Sequence, residues 1–219
     1  MPLLDSGSAD ADSVCFLNAA SVLLGGISNA VKAWAHIPHV AKMFVPFYFA
    51  FERDGIGSLL PAQLRLIVLL KTHHIHKSRY MLAHRTLLGR AAGLDEERMH
   101  ALSRADAAVA GEFSPPEQAA IAWTALVATN TTKRDETVFV ELEKHFTHAE
   151  VVEMTALCAI ASNADLIYNA LRIQLEASDE LAVMYSVVGV DPGRLRCYLE
   201  TVVSDWPAVM PLFDAGPSH

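Results

Sequence analysis

The chain has 219 residues, of which 52% are hydrophobic and 19% are charged, and its formal net charge is −8. This length suits one helical domain with a sizeable core. The negative charge, with no basic tract, excludes ordinary nucleic-acid binding because the average field repels a polyanion. The three cysteines, Cys15, Cys158 and Cys197, form neither a C-x-x-C pair nor a zinc-type spacing, so we expect free thiols in a reducing compartment.

The N-terminal segment is acidic and lacks the basic start of a secretory signal. No apolar stretch of the sequence reaches the ~20 residues that a transmembrane helix needs. We therefore expect a cytoplasmic protein without a membrane partner.

The predicted elements are helices joined by short connections, and no strand pattern is longer than a few residues. We expect residues 1–12 to be disordered, residues 13–206 to form one helical domain, and residues 207–219 to form a Pro-rich tail. The predicted helices, in chain order, cover residues 13–36 with a break at Gly25-Gly26, 38–53 with a kink or division at Pro46, 61–74, 77–92, 95–106, 114–129, 137–146, 147–176 and 192–206. Such short connections favour antiparallel helical neighbours.

Several helix starts carry specific signals. Asp95 precedes an acidic first turn, Ser114 precedes two prolines and a glutamate, and Thr147 pairs with Glu150 at the spacing of a capping box. The helix that starts at Pro61 contains LRLIVLL and is apolar on nearly all sides. We therefore expect this helix in the middle of the core.

The segment HHIHKSRYMLAHR, residues 73–85, concentrates chemically active side chains directly after that apolar helix. Lys77, Tyr80 and His84 are spaced i, i+3 and i+7 and therefore share one helical face. His84 suits a general acid or base near neutral pH, Lys77 suits a carboxylate or enolate, and Tyr80 suits a developing oxyanion. The segment predicts an active site or, as the plain alternative, a solvated polar helix end.

A metal site is a second interpretation of the same segment. His73, His76 and His84 carry imidazole nitrogens of the kind that bind zinc, copper, nickel or iron, and His73 and His76 can reach one ion from a single helix. No carboxylate lies within the segment, so the pattern is weaker than an H-E-x-x-H zinc motif. The sequence leaves open whether the protein uses no cofactor or a divalent transition metal.

The run from Pro61 to Leu94, PAQLRLIVLLKTHHIHKSRYMLAHRTLLGRAAGL, resembles the core of the carboxymuconolactone decarboxylase and alkyl hydroperoxidase D-like (AhpD-like) family. There, a buried helix leads through a polar turn into a helix that carries C-x-x-C-x-x-x-H and ends in an R-x-A-G-L-like stop. His84 matches the motif histidine. With the downstream stretches PEQAAIAWTALVATNTT and VFVELEKHFTHAEVVEMTALCAIASNADLIYNALRI, the resemblance covers roughly residues 38–176. It implies an all-α, AhpD-like helical bundle in a single domain, assembled as a dimer, trimer or hexamer.

The departures from the family motif change the chemistry that we expect. The two redox cysteines align with Lys77 and Tyr80, and the proton-relaying glutamate of the preceding helix aligns near Arg65. A disulfide-based peroxidase is therefore not expected. The resemblance also implies a helix break near residues 75–76, which would place Lys77 at the start of the helix that carries His84.

The sequence therefore predicts a divergent carboxymuconolactone-decarboxylase-like enzyme, a lyase, decarboxylase or isomerase, acting on a small anionic organic acid. In this hypothesis His84 moves the proton, Lys77 and Tyr80 hold the anion, and Arg79 and Arg65 assist in substrate binding. A metal-binding, even oxidative, enzyme and a non-catalytic binding scaffold remain as alternatives. We expect a small-molecule substrate and further copies of the chain as partners. Catalysis loses its support if the three motif residues face solvent instead of a pocket.

Overall fold

A computed structural model describes residues 2–5, 7, 9–53, 57–177, 181, 191–204 and 206. Within these residues the chain forms ten α-helices and two 3₁₀ turns, Ala107–Val109 and Thr132–Arg134, and no strand. The helices are α1 Ala11–Leu24, α2 Asn29–Trp34, α3 Pro38–Glu52, α4 Ala62–Ile75, α5 Arg79–Ala91, α6 Glu96–Ala101, α7 Pro115–Ala128, α8 Glu136–Glu143, α9 His148–Leu171 and α10 Pro192–Ser204. The all-α prediction is confirmed.

The first predicted helix is two helices, α1 and α2, separated at Gly25-Gly26 as expected. Helix α1 starts at Ala11, slightly before the expected residue 13, because the Asp10 carboxylate caps it by accepting a hydrogen bond from the Ser13 amide. Gly25 ends it with φ of 72°, a conformation that glycine adopts without strain. Upstream, Leu4 packs against the core between α1 and α10.

Helix α4 lies at the centre of the bundle and packs against α5, α7 and α9. Every residue from Leu64 to His73 is buried, including the charged Arg65 and Lys71. A helix without a polar face has no solvent side, so its neighbours must surround it. The predicted central position of this helix is confirmed.

Helix α3 is continuous through Pro46, where a kink or division was expected. Proline has no backbone N–H, so the carbonyl of Lys42, one turn earlier, loses its helical donor. The buried hydroxyl of Tyr198 on α10 donates to that carbonyl at 2.9 Å. A side chain from a distant helix thus replaces the missing hydrogen bond.

The N-terminal signals at Asp95, Ser114 and Thr147 all mark helix starts. The end of α9 is different from the prediction. It ends at Leu171 and not near Glu176, because Arg172 adopts the left-handed conformation with φ of 54°. The chain then runs without helix over residues 173–177, and this change of direction determines where Glu176 lies.

Among the described helices, α9 is long and apolar enough to cross a bilayer, although the sequence predicted no such segment. However, 44% of its most apolar window is buried inside the protein, where α9 packs against α4 and α7. Helices in the core of a helical bundle pass the same test of length and composition. The predicted Pro-rich tail, residues 207–219, lies outside the described residues.

Candidate active site

Helix α5 carries Tyr80 and His84 one turn apart on its buried face. Their rings lie 4.4 Å apart between centroids, and both side chains are buried. This pairing follows from the i, i+4 spacing, which places side chains above each other on a helix. The predicted association of Tyr80 with His84 is therefore present.

Glu176 joins this pair from the segment that follows α9. Its Oε2 lies 2.9 Å from His84 Nε2, and its Oε1 accepts hydrogen bonds from the Tyr80 hydroxyl at 2.7 Å and the Asn29 amide at 2.5 Å. The Tyr80 oxygen in turn accepts from the Ala30 amide at 3.1 Å. The first two amides of α2, which have no partner within their own helix, thus hold Glu176 and Tyr80 in place.

Hydrogen bonding keeps Glu176 ionised inside the protein. Burial alone would raise the pKa of Glu176, but the hydrogen bond from His84, the positive charge of His84 in its protonated form, and the hydrogen bonds from Tyr80 and Asn29 outweigh burial and lower the pKa to about 2. Burial lowers the pKa of His84 below its ordinary value of 6.5, and the Glu176 carboxylate offsets only part of this effect. At neutral pH the pair is therefore a carboxylate and a neutral imidazole.

The neutral imidazole has one defined tautomer. An ionised carboxylate can only accept hydrogen bonds, so His84 Nε2 must carry the proton. The lone pair of the ring then lies on Nδ1. Glu176 consequently fixes which nitrogen of His84 is basic.

Tyr80 and His84 line a cavity of about 50 Å³ that is open on one side. Such a volume holds a few water molecules or part of a small ligand. Its walls are mostly aromatic and aliphatic, and its polar groups come from Ser28, Tyr48, Glu52, Tyr80, His84 and Arg85. The apolar part is formed mainly by Trp34, Phe44, Val45, Phe49, Met81 and Tyr168. Helices α2, α3, α5 and α9 each contribute to these walls.

A buried ion pair lies beside His84 in the same cavity. Arg85 Nη2 donates to Glu52 Oε1 in a short contact and to the Tyr48 hydroxyl at 3.2 Å. Burial, followed by the negative charge of Glu52, raises the pKa of Tyr48 well above its ordinary value. The cluster thus contains a protonated phenol and two opposite charges that compensate each other.

The other residues predicted for substrate binding do not line this cavity. Lys77 is exposed in the turn between α4 and α5, where its φ of 54° interrupts the helix and removes it from the predicted stripe. Arg79 is exposed, and the buried Arg65 donates to the carbonyl of Leu60 at 2.7 Å. Tyr80 is present, but its hydroxyl proton is directed to Glu176 and not to the cavity centre.

The histidines proposed as metal ligands have separate partners. His73 Nδ1 lies 2.8 Å from Asp165 Oδ1 in a fully buried pair between α4 and α9. His76 Nε2 lies 2.9 Å from the Ser162 hydroxyl. Within the described part of the chain, no three His, Cys, Asp or Glu side chains are grouped closely enough to hold a metal ion. The set of His73, His76 and His84 is therefore not brought together.

The sequence did not identify Glu176, Glu52 or Arg85 as site residues. Glu176 was expected at the end of α9, and its approach to His84 depends on the left-handed turn at Arg172. No glycine or proline marks that turn, so the sequence carried no standard signal for it. Arg85 directly follows His84, but its pairing with Glu52 is a contact between two helices that helical periodicity does not report.

Solved structures with the same fold are known, although no model of a protein family and no curated protein matches the sequence. An uncharacterised peroxidase-related protein from Ralstonia eutropha JMP134, described as an alkylhydroperoxidase AhpD core, superposes with a TM-score of 0.68 at 16% identity over 86% of this chain and 96% of that chain. A peroxidase-related protein from Silicibacter sp. TM1040 gives 0.67 at 16% identity over 80% and 90%. The debrominase Bmp8, in complex with 2,3,4-tribromopyrrole, gives 0.62 at 18% identity over 91% and 95%. The chain therefore has the AhpD-like fold that its central segment predicted.

Proposed function

We propose that this protein is an enzyme that moves a proton on a small, largely apolar molecule, as a lyase or an isomerase, with His84 as the general acid and base. The observation that carries the proposal is the contact of His84, which lines an apolar cavity, with the ionised Glu176. A carboxylate that orients an imidazole also stabilises the imidazolium that forms when the imidazole accepts a proton.

The proton steps follow from the tautomer that Glu176 imposes. His84 Nδ1 takes a proton from a carbon of the substrate, and the resulting imidazolium is paired with Glu176. In an isomerisation the same proton returns to another carbon of the substrate. In an elimination a leaving group departs from the neighbouring carbon as the proton is removed. Tyr80 is a positioning residue here, because its hydroxyl holds Glu176.

The charges in the cavity favour an uncharged substrate over the small anionic acid expected from the sequence. That expectation gave the anion to Lys77 and Tyr80, with help from Arg79 and Arg65. Of these four residues only Tyr80 lines the cavity, and its hydroxyl donates to Glu176. Arg85, which does line the cavity, is already paired with Glu52. The two charged side chains that line the cavity therefore compensate each other, and neither offers a counter-charge to a carboxylate ligand.

The proteins with the same fold support an enzymatic function, but not a particular reaction. One of them is a debrominase whose ligand, a brominated pyrrole, is a small planar ring, and an aromatic cavity suits such a shape. The apolar cavity also favours catalysis over a binding scaffold without chemistry. A metal-dependent reaction would need ligands beyond His84, and the described residues offer no such group.

Two expectations from the sequence stay predictions. One is assembly into a homo-oligomer, with which the exposed Val40, Met43 and Phe47 on α3 are compatible. The other is a cytoplasmic location.

The proposal is tested by hydrogen exchange and turnover in D₂O. The purified protein is incubated with enolisable small ketones and unsaturated lactones, each with and without a hydroxyl substituent, and deuterium incorporation and new products are followed by NMR. We expect His84→Gln to lower the rate by about a hundredfold or more, which is the usual contribution of general acid–base catalysis.

His76→Gln is the matched control, because His76 bonds Ser162 outside the cavity wall. It should keep the rate of the unaltered protein. Equal rates in the His84 variant and the unaltered protein would show that His84 does not move the proton. Absence of exchange or turnover across the whole series would remove the proposed reaction class.

A further inference from the structure

We propose that Glu52 selects the ligand of this cavity by accepting, through Oε2, a hydrogen bond from an N–H or O–H group on a small uncharged ring. This inference rests on the proposed function for the identity of the cavity as a substrate site. It adds a requirement that the proposed reaction does not contain: the substrate must carry a hydrogen-bond donor.

The two oxygens of Glu52 have different surroundings. Oε1 accepts from Arg85 Nη2, whereas Oε2 is buried and has no hydrogen-bond partner within the described part of the chain. The Glu52 side chain is only 1% exposed and lines the cavity. A buried acceptor without a partner destabilises a protein, so such an atom beside an open cavity indicates a site that a ligand completes.

The neighbouring charges indicate which donor fits. The Arg85 guanidinium already compensates the charge of Glu52. A cationic ligand would therefore lose its hydration without gaining a counter-charge, because the charge of Glu52 is already compensated. A neutral donor needs only a lone pair of Oε2. An anionic ligand would meet the lone pairs of Glu52 Oε2 and would find Arg85 already paired.

The shape of the cavity indicates the rest of the ligand. The rings of Trp34, Phe44 and Tyr48 stand next to one another, with centroids 4.5 Å apart for Trp34–Phe44 and 5.6 Å apart for Phe44–Tyr48. Aromatic walls favour a flat apolar body. Because the cavity is small and partly open, a ring with its donor edge against Oε2 would keep its opposite edge outside.

The experiment compares three five-membered rings of nearly equal size. Pyrrole is a neutral donor, furan has no donor, and pyrrolidine is a cation at neutral pH. Binding to the full-length protein is measured by NMR titration of the ligand lines and of the indole signal of Trp34. We expect pyrrole to bind about tenfold or more tightly than furan, and pyrrolidine to bind more weakly than pyrrole.

Variants then test whether the preference for pyrrole depends on Glu52. Glu52→Gln should reduce the preference for pyrrole over furan severalfold. The matched control is Glu117→Gln, which alters a comparable pair with Arg98 outside the cavity and should keep the preference. If the Glu52 variant does not fold, the comparison of the three ligands on the unaltered protein still tests whether the cavity prefers a neutral donor.

Four results would overturn the assignment. They are equal binding of pyrrole and furan, tighter binding of pyrrolidine, an unchanged preference in a folded Glu52 variant, and no response of Trp34 to any ring. His84→Gln separates this inference from the proposed function. If pyrrole is preferred but no turnover depends on His84, only the proposed reaction is wrong. If turnover depends on His84 but pyrrole is not preferred, only the role of Glu52 is wrong.

Discussion

Two buried histidine–carboxylate pairs in this protein have nearly the same contact distance and different surroundings. His73 and Asp165 lie 2.8 Å apart between α4 and α9, and both side chains are completely inaccessible. His84 and Glu176 lie 2.9 Å apart, and His84 lines an open cavity. The same chemical pair is thus a link between core helices in one place and a candidate catalytic group in the other. Access to a ligand, and not the pair itself, distinguishes them.

The largest expected difference between the two pairs is in turnover. Glu176→Gln allows the side-chain amide to donate to His84 and so to reverse the tautomer, and we expect activity to fall by about a hundredfold or more. Asp165→Asn should leave the activity per folded molecule unchanged and lower the free energy of unfolding by about 1–3 kcal/mol. Turnover assays, normalised to the folded fraction from urea unfolding, check both. Similar activity losses in the two variants would contradict the distinction.

Acid should lower the free energy of unfolding of the protein through the pair of His84 and Glu176. The folded-state pKa of Glu176 is about 2, below its ordinary 4.5, so between these values the unfolded chain binds more protons. The stabilisation is complete above about pH 4.5 and is lost as the pH falls towards 2, by on the order of 2–3 kcal/mol. The lowered pKa of His84 acts in the same direction below pH 6.5.

Urea unfolding between pH 7 and pH 3 measures this loss. Glu176→Gln should show a shallower decline than the unaltered protein, because its amide does not titrate. Parallel curves for the two proteins would mean that Glu176 is not held in the ionised form.

The smallest expected effect is at Lys77, which the sequence placed beside His84. Lys77→Gly removes a side chain from the left-handed region, and we expect the free energy of unfolding to rise by no more than about 1 kcal/mol with turnover unchanged. Asn130→Gly, at the same φ of 54°, is the control and should gain less, because asparagine tolerates this region. A large loss of turnover in the Lys77 variant would show that Lys77 takes part in the reaction.

Local signals in the sequence predicted most of the helices. The caps at Ser114 and Thr147 start helices because their side chains satisfy backbone amides, a property of four consecutive residues. The same short range made Tyr80 and His84 neighbours on α5. Lys77 was placed incorrectly relative to them because one residue in the left-handed conformation ends the regular spacing, and lysine gives no sign of that conformation.

The rest of the candidate site depends on contacts between distant parts of the chain. Glu176 is separated from His84 by 92 positions, and Glu52 from Arg85 by 33. Helical periodicity describes only which residues share a face, so it cannot tell which carboxylate meets which base. The fold could be predicted from the resemblance of residues 38–176, whereas the carboxylates of the site required the packed structure.

Glu176 lies beyond the last turn of α9, on a short segment attached to α2 through Asn29, whose side chain also donates to the carbonyl of Gln174 at 3.0 Å. The tautomer of His84 depends on this attachment, because Glu176 accepts from Nε2. Release of the segment would leave His84 without its carboxylate, even if the helices stayed folded. The free energy that matters for the site is therefore that of local opening around Glu176, which is a different quantity from the free energy of global unfolding.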